Sequence, residues 1–257
     1  MKLIYIPIVL GLYISSCSSN NEEDTKDVFD QPIIDKNLPL DELAKRHVEA
    51  DLKIPATEKY GLKIYQEDLD GDDKKDAIIT VNRLEYAYST AEASGKAAKM
   101  AELDFFGNYN FIFYYDGSLN KISPAIPFIS CPQNELKVKF IHLLSDAHKD
   151  IVIDYRIKNA SYKDFITVRN HTPNVIFEWN EFENLGKENA KANYFEIVQK
   201  NVGLPRDIIL YEGVLENNDL NIKDIYNFTP KIKKKNKLYT WFYNPEMGKY
   251  ATLDAKK

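Results

Sequence analysis

The chain has 257 residues, with 34 Lys and Arg against 39 Asp and Glu and a formal net charge of −5. Its 44% apolar and 12% aromatic content is enough for a sizeable core, which excludes a wholly disordered chain. The acidic balance, with no long basic stripe, argues against a nucleic-acid partner, and two cysteines cannot build a disulfide framework.

Lys2 precedes an apolar run over residues 3–14, broken by Pro7 and Gly11. The run falls short of the roughly 20 residues that a membrane-spanning helix needs. Its order of charge, apolar stretch and small residues is that of a secretory signal, and it ends Ile14-Ser15-Ser16-Cys17. This ending resembles the lipobox of bacterial lipoproteins. The resemblance implies a signal peptide over 1–16, cleavage after Ser16 and a lipidated Cys17 that anchors the chain to a membrane through its acyl chains. Ser18 after the cysteine is similar to lipoproteins sorted to the outer membrane, and Glu22-Glu23-Asp24 resembles the tether signals of some surface-exposed ones. The expected location is therefore the outer membrane, facing the periplasm or the surface. Residues 17–37 are polar and read as a lipidated cysteine followed by a disordered tether, with a reach of roughly 25 Å. One β-rich domain is expected over 38–257. With Cys17 lipidated, Cys131 is a lone thiol, expected to be buried and structural.

Leu40, Leu43, Ala44, Val48 and Leu52 recur at helical spacing and predict an amphipathic helix over 40–52. His47 sits near its apolar edge as a satisfied histidine. A second helix is expected over 91–103, capped by Ser89-Thr90-Ala91-Glu92 and weakened by Gly95. Elsewhere the pattern is strand: 77–81, 109–115 leading into the turn Asp116-Gly117, then 137–141, 151–155, 165–168, 175–179, 208–211 and 239–243. A tight turn at 244–248 leads back into 249–251, while 193–202 fits either strand or helix. Strands at this spacing argue for a mainly β, antiparallel architecture with a few peripheral helices.

The segment with the clearest chemistry is Asp68-Leu69-Asp70-Gly71-Asp72-Asp73-Lys74-Lys75-Asp76. Aspartates fall at loop positions 1, 3, 5 and 9, with a carbonyl at 7, and calcium takes six to eight such oxygens. Position 12 is Ile79 rather than a bidentate glutamate, and a strand follows rather than a helix. The loop therefore resembles the Asp-x-Asp-Gly-Asp loops of FG-GAP and VCBS-type β-propeller repeats. The resemblance implies structural calcium held by Asp68, Asp70, Asp72, the carbonyl of Lys74 and Asp76, in a fold that is at most a partial or degenerate propeller. The nearest echo is 142–150, where His142 and Leu144 replace the first two ligands and the metal is expected to be lost.

Among the aromatic residues, Tyr114, Trp179 and Trp241 are candidates for stacking on a sugar or a partner, against a reading as core. The basic cluster Lys231 to Lys237 reads as a solvated strand edge. Signatures of nucleophile elbows, zinc proteases, P-loops and dinucleotide sites are missing from the sequence, so no catalytic residue and no nucleotide partner are assigned. The expectation is a calcium-stabilised binding or scaffold module of the cell envelope, with an envelope protein or glycan as partner. The alternative is a glycan-binding or glycan-hydrolysing surface lipoprotein.

Overall fold

The computed structural model describes residues 38–199, 205–216, 224–225 and 227–253. Cys17, its lipobox and the tether up to residue 37 lie outside the described residues, as do 200–202 of the ambiguous segment.

The first element is α1 (Leu40–Asp51), which buries Leu43, Ala44 and Val48 on the expected stripe. It leads into β1 (Gly61–Glu67) and β2 (Asp76–Asn82), paired antiparallel around the aspartate loop. The expected helix over 91–103 is instead two. α2 (Leu84–Ala93) and α3 (Ala97–Glu102) are separated by Gly95 at φ +67°. The amide of Lys96 reaches the carbonyl of Ala91 (3.0 Å), and that of Gly95 reaches Glu92 (2.9 Å). These two bonds form a Schellman stop, which glycine permits because it has no Cβ. Ser89 and Thr90 lie inside α2 rather than capping it.

The chain then forms β3 (Gly107–Asp116), β4 (Lys121–Ile122) and β5 (Ile126–Ser130). β3 pairs with β2 on one side and with β4 and β5 in turn along the other. The remaining strands are β6 (Lys137–Ile141), β7 (Asp150–Ile157), β8 (Ala160–Arg169), β9 (Thr172–Glu183), β10 (Lys191–Val198), β11 (Asp207–Leu215), β12 (Ile232–Asn244) and β13 (Lys249–Ala251). They form one eight-stranded antiparallel meander in which each strand pairs with its neighbours in the chain. The architecture is thus mainly β and antiparallel with peripheral helices, as the spacing of turns and strands predicts. The segment that fitted either helix or strand is β10 as far as Val198.

β2 explains the layering. From Asp76 to Val81 every residue is buried, so both faces of the strand are covered and the sequence runs apolar instead of alternating. Ile78, with Ile112, Tyr114 and Phe128, packs on Ile151, Ile153, Ile166 and Val168 of the second sheet. Ile79, Val81 and Phe113 point the other way, onto Ala44 and Val48 of α1. The far face of the second sheet carries a separate core of Val152, Phe165, Phe177 and Ile208. A register shift between Phe165 and Ile166 leaves Ile176 as an extra residue in β9, so Ile176 and Phe177 are both buried. On the rim of the first sheet, Arg83 makes a bidentate pair with Glu58 (Nε–Oε1 2.7 Å, Nη2–Oε2 2.6 Å), with both side chains almost wholly buried.

Candidate metal centre

The aspartate loop is wound by its own carboxylates. Oδ1 of Asp68 accepts from the amide of Gly71 (2.8 Å), Oδ2 of Asp68 from Asp73 (3.2 Å), and Oδ1 of Asp70 from Asp72 (3.2 Å). Gly71 (φ +82°) and Asp73 (φ +61°) both take the left-handed conformation that this winding needs. Asp76, fully buried at the start of β2, accepts from Leu69 (3.1 Å) with Oδ2 and from Gly117 (2.9 Å) with Oδ1. It therefore braces the loop and ties it to the β3–β4 turn. The turn comes so close that a Cβ on Gly117 would lie 2.3 Å from the carbonyl oxygen of Lys75.

Single oxygens of Asp68, Asp70 and Asp76 lie within 4.8 Å of one another. Asp70 also belongs to a second group of that span, with Asp116 and His171. Asp116 comes from the end of β3. His171 sits in the β8–β9 turn, where Asn170 and His171 both have positive φ, the backbone of a type I′ hairpin turn. Its Nδ1 is 2.6 Å from Oδ2 of Asp116 and 3.8 Å from Oδ2 of Asp70. Oδ1 of Asp116 accepts from Ser118 Oγ and from the amide of Leu119, both at 2.8 Å. Among the described residues, no lysine or arginine is ion-paired to any of these aspartates.

The electrostatics follow from this crowding. Burial, then the charges of Asp72, Asp116 and Asp68, lift the pKa of Asp70 above the usual carboxylate range. Burial also lifts Asp76, against the pull of its two backbone donors. Asp116 moves the other way: burial would raise it, but hydrogen bonds from Leu119, Ser118 and His171 outweigh that and lower it. Tyr114 is 1% exposed, and its hydroxyl has no hydrogen-bond partner of ordinary geometry. It is pushed upward by burial and then by the charges of Asp76, Asp116 and Asp70. A cluster of carboxylate oxygens with one imidazole and a buried hydroxyl beside it is a donor set that fits a hard divalent cation.

Of the residues expected as ligands, Asp68, Asp70 and Asp76 are brought together. Asp72 stays outside both groups, its Oδ1 taken up by the amide of Lys74 (2.8 Å). Asp116 and His171 were not legible as ligands, since one reads as a hairpin residue and the other as an isolated histidine. Tyr114 is a correction: it is core, with its hydroxyl toward the carboxylates, and offers no surface for stacking. Trp179 and Trp241 are half-buried and pack on each other (5.5 Å) and on Phe177. They border a cleft of about 220 Å³, and neither indole N–H has a partner.

The echo loop is braced by a partly different set of contacts. Asp150, at its ninth position, accepts from Leu143 (3.1 Å) and Leu144 (2.8 Å), as Asp76 does from Leu69. Arg206 holds the rest: Nη1 donates to the carbonyl of His142 (2.7 Å) and Nη2 to the carboxylate of Asp146. A guanidinium therefore supplies positive charge to loop positions 1 and 5. The two loops touch, the backbone amide of Lys149 donating to the carbonyl of Asp68 (3.3 Å) and its ammonium to Glu67 (2.7 Å).

Cys131 is buried, with burial foremost pushing its thiol up to about 12, which favours the thiol over the nucleophilic thiolate. No helix among the described residues is long and apolar enough to cross a membrane. The chain matches no protein-family model, no curated protein and no solved structure.

Proposed function

We propose that the chain is a bacterial envelope lipoprotein, held at the outer membrane through lipid on Cys17, whose β-rich body is a non-enzymatic binding module braced by one calcium ion. The observation that carries the metal assignment is the convergence of Asp68, Asp70 and Asp76, and through Asp70 of Asp116 and His171, beside the buried Tyr114 hydroxyl, with no lysine or arginine among the described residues paired to these aspartates. Asp70 is common to both groups, so an ion bound there would join the loop to the β3–β4 and β8–β9 turns and so link the two sheets. When bound, calcium would supply charge neutralisation and cross-linking, not chemistry.

A hydrolase would need two facing carboxylates free to exchange protons in a cleft. The pair that meets in the groove along β1 and β6, Asp154 and Glu181, shares the ammonium of Lys163 at 2.6 and 3.0 Å. That arrangement favours binding over hydrolysis. Two measurements test the proposal. Calorimetric titration of the mature chain with calcium should show one saturable site that is lost in Asp70→Asn. Cell fractionation should find the wild type with membranes and Cys17→Ser released. A flat titration overturns the metal centre, and membrane retention of the Cys17→Ser protein overturns the anchor.

A further inference from the structure

We infer that the groove between β1 and the β6–β9 face binds an anionic oligosaccharide. This names a ligand class for the binding module proposed above and is independent of the cation centre, which lies elsewhere. The groove encloses about 590 Å³, within the range of small-ligand sites.

Its charge runs against that of the whole molecule. The protein carries a net −5, yet the groove is lined by five basic side chains and three carboxylates. Lys63 pairs with Glu135, Lys139 and Lys163 share Asp154, and Lys163 also holds Glu181. That leaves Lys137 and Arg156 without a carboxylate partner among the described residues. Arg156 donates to the backbone carbonyls of Phe228 and Ile225. Lys137 is exposed and stands opposite Asp154 in the β6–β7 ladder. A surplus of positive charge in a concave site attracts anions more strongly than the same charges on an open surface.

The other lining groups suit sugars. Tyr65 and Tyr155 line the groove from opposite sheets, and Tyr155 is fixed by stacking on Tyr162 (5.5 Å, 19°). Amides of Gln133, Asn134 and Asn227 and hydroxyls of Ser161 and Thr229 provide the mixed donors and acceptors that a polyhydroxylated ligand needs. At the floor, Lys163 is held in one position by its two carboxylates. Burial alone would lower its pKa, but Glu181 and Asp154 outweigh that and keep it charged. The site is thus built before any ligand arrives, which limits the ordering cost of binding.

The test is calorimetric titration of the mature chain, in calcium buffer, with three probes: a hyaluronan tetrasaccharide, which carries uronate carboxylates; neutral chitotetraose; and a tetraglutamate peptide. Lys137→Glu is the site variant, and Lys249→Glu, on exposed β13, is the control. The expected result is saturable binding of the hyaluronan fragment, weakened about tenfold or more by Lys137→Glu, unchanged by Lys249→Glu and much weaker for the other two probes. Melting curves establish that both variants are folded. The inference is overturned by no binding of the uronate probe, by equal binding of the neutral sugar or the peptide, or by a Lys137→Glu protein that binds as the wild type does. Failure of the cation centre would show separately, as a melting midpoint indifferent to chelator in the absence of sugar.

Discussion

Replacing Asp70 by Asn should stabilise the metal-free protein and abolish its response to calcium. Asp70 is shared by both donor groups and faces Asp68, Asp76 and Asp116, and its side chain is 13% exposed. Two carboxylate charges 4.8 Å apart repel by roughly 3.5 kcal/mol at an effective dielectric near 20. Removing one charge relieves several such terms at once, so in chelator the Asp70→Asn midpoint should stand at or above the wild-type value. Calcium at a hundred times its dissociation constant stabilises a one-site protein by about 2.7 kcal/mol. For a body of this size that amounts to a rise of about 5–11 °C in the wild type, with little or none in the variant. Scanning calorimetry of both proteins in excess calcium and in chelator measures the four midpoints. An ordinary destabilising substitution would lower the midpoint in both buffers, so the crossed pattern is specific to a cation site. Equal wild-type midpoints in calcium and chelator, or a calcium shift in Asp70→Asn as large as that of the wild type, would refute the reasoning.

Three further outcomes are expected. Gly117→Ala should destabilise the body by about 1–3 kcal/mol, since its Cβ would meet backbone at 2.3 Å rather than a side chain that can move aside; urea unfolding checks this, and an unchanged transition midpoint would contradict it. Glu58→Ala should cost about 3–5 kcal/mol by leaving Arg83 charged and buried without its bidentate partner, whereas an exposed pair such as Lys235–Glu212 should be worth under about 1 kcal/mol when broken; denaturant curves of the two alanine variants separate the cases. Asp164 is buried, and burial followed by the charge of Glu178 pushes its pKa up to about 7, with Tyr155 opposing. The folded state therefore holds this proton more tightly than the unfolded chain does. Its contribution is fully present below pH 4 and is lost as pH rises toward 7, by up to about 4 kcal/mol. Asp164→Asn should flatten that part of the stability–pH curve, and an unchanged slope between pH 4 and 7 would sink the assignment.

The elements that the sequence shows clearly are those whose side chains have one job. β2 reads as a strand because both its faces are buried. β6 and β13 match their expected bounds, 137–141 and 249–251, and the tight turn at 244–248 marks the start of β13. The strands that escape are ones whose residues face solvent. β1 alternates only weakly, β5 contains Pro127, and the first half of β12 is Ile232-Lys233-Lys234-Lys235-Asn236-Lys237, which reads as a solvated edge although it pairs with β11. The merged helix over 91–103 failed at Gly95, whose left-handed backbone only the fold reveals. At the candidate centre, local spacing identified Asp68, Asp70 and Asp76, because a wound loop brings near neighbours in the chain together. It could not reveal Asp116, which arrives through the pairing of β3 with β2, or His171, which arrives from a hairpin of the second sheet.

The meander of the second sheet has a consequence for how the chain folds. From β6 to β13 every ladder joins strands adjacent in sequence, so each pairing has only the connection between consecutive strands to close. No strand there waits for a distant partner, and pairing can propagate hairpin by hairpin from whichever end forms first. The slow step should instead be the docking of the two sheets, when the bends at Asp70, Asp116 and His171 must arrive together.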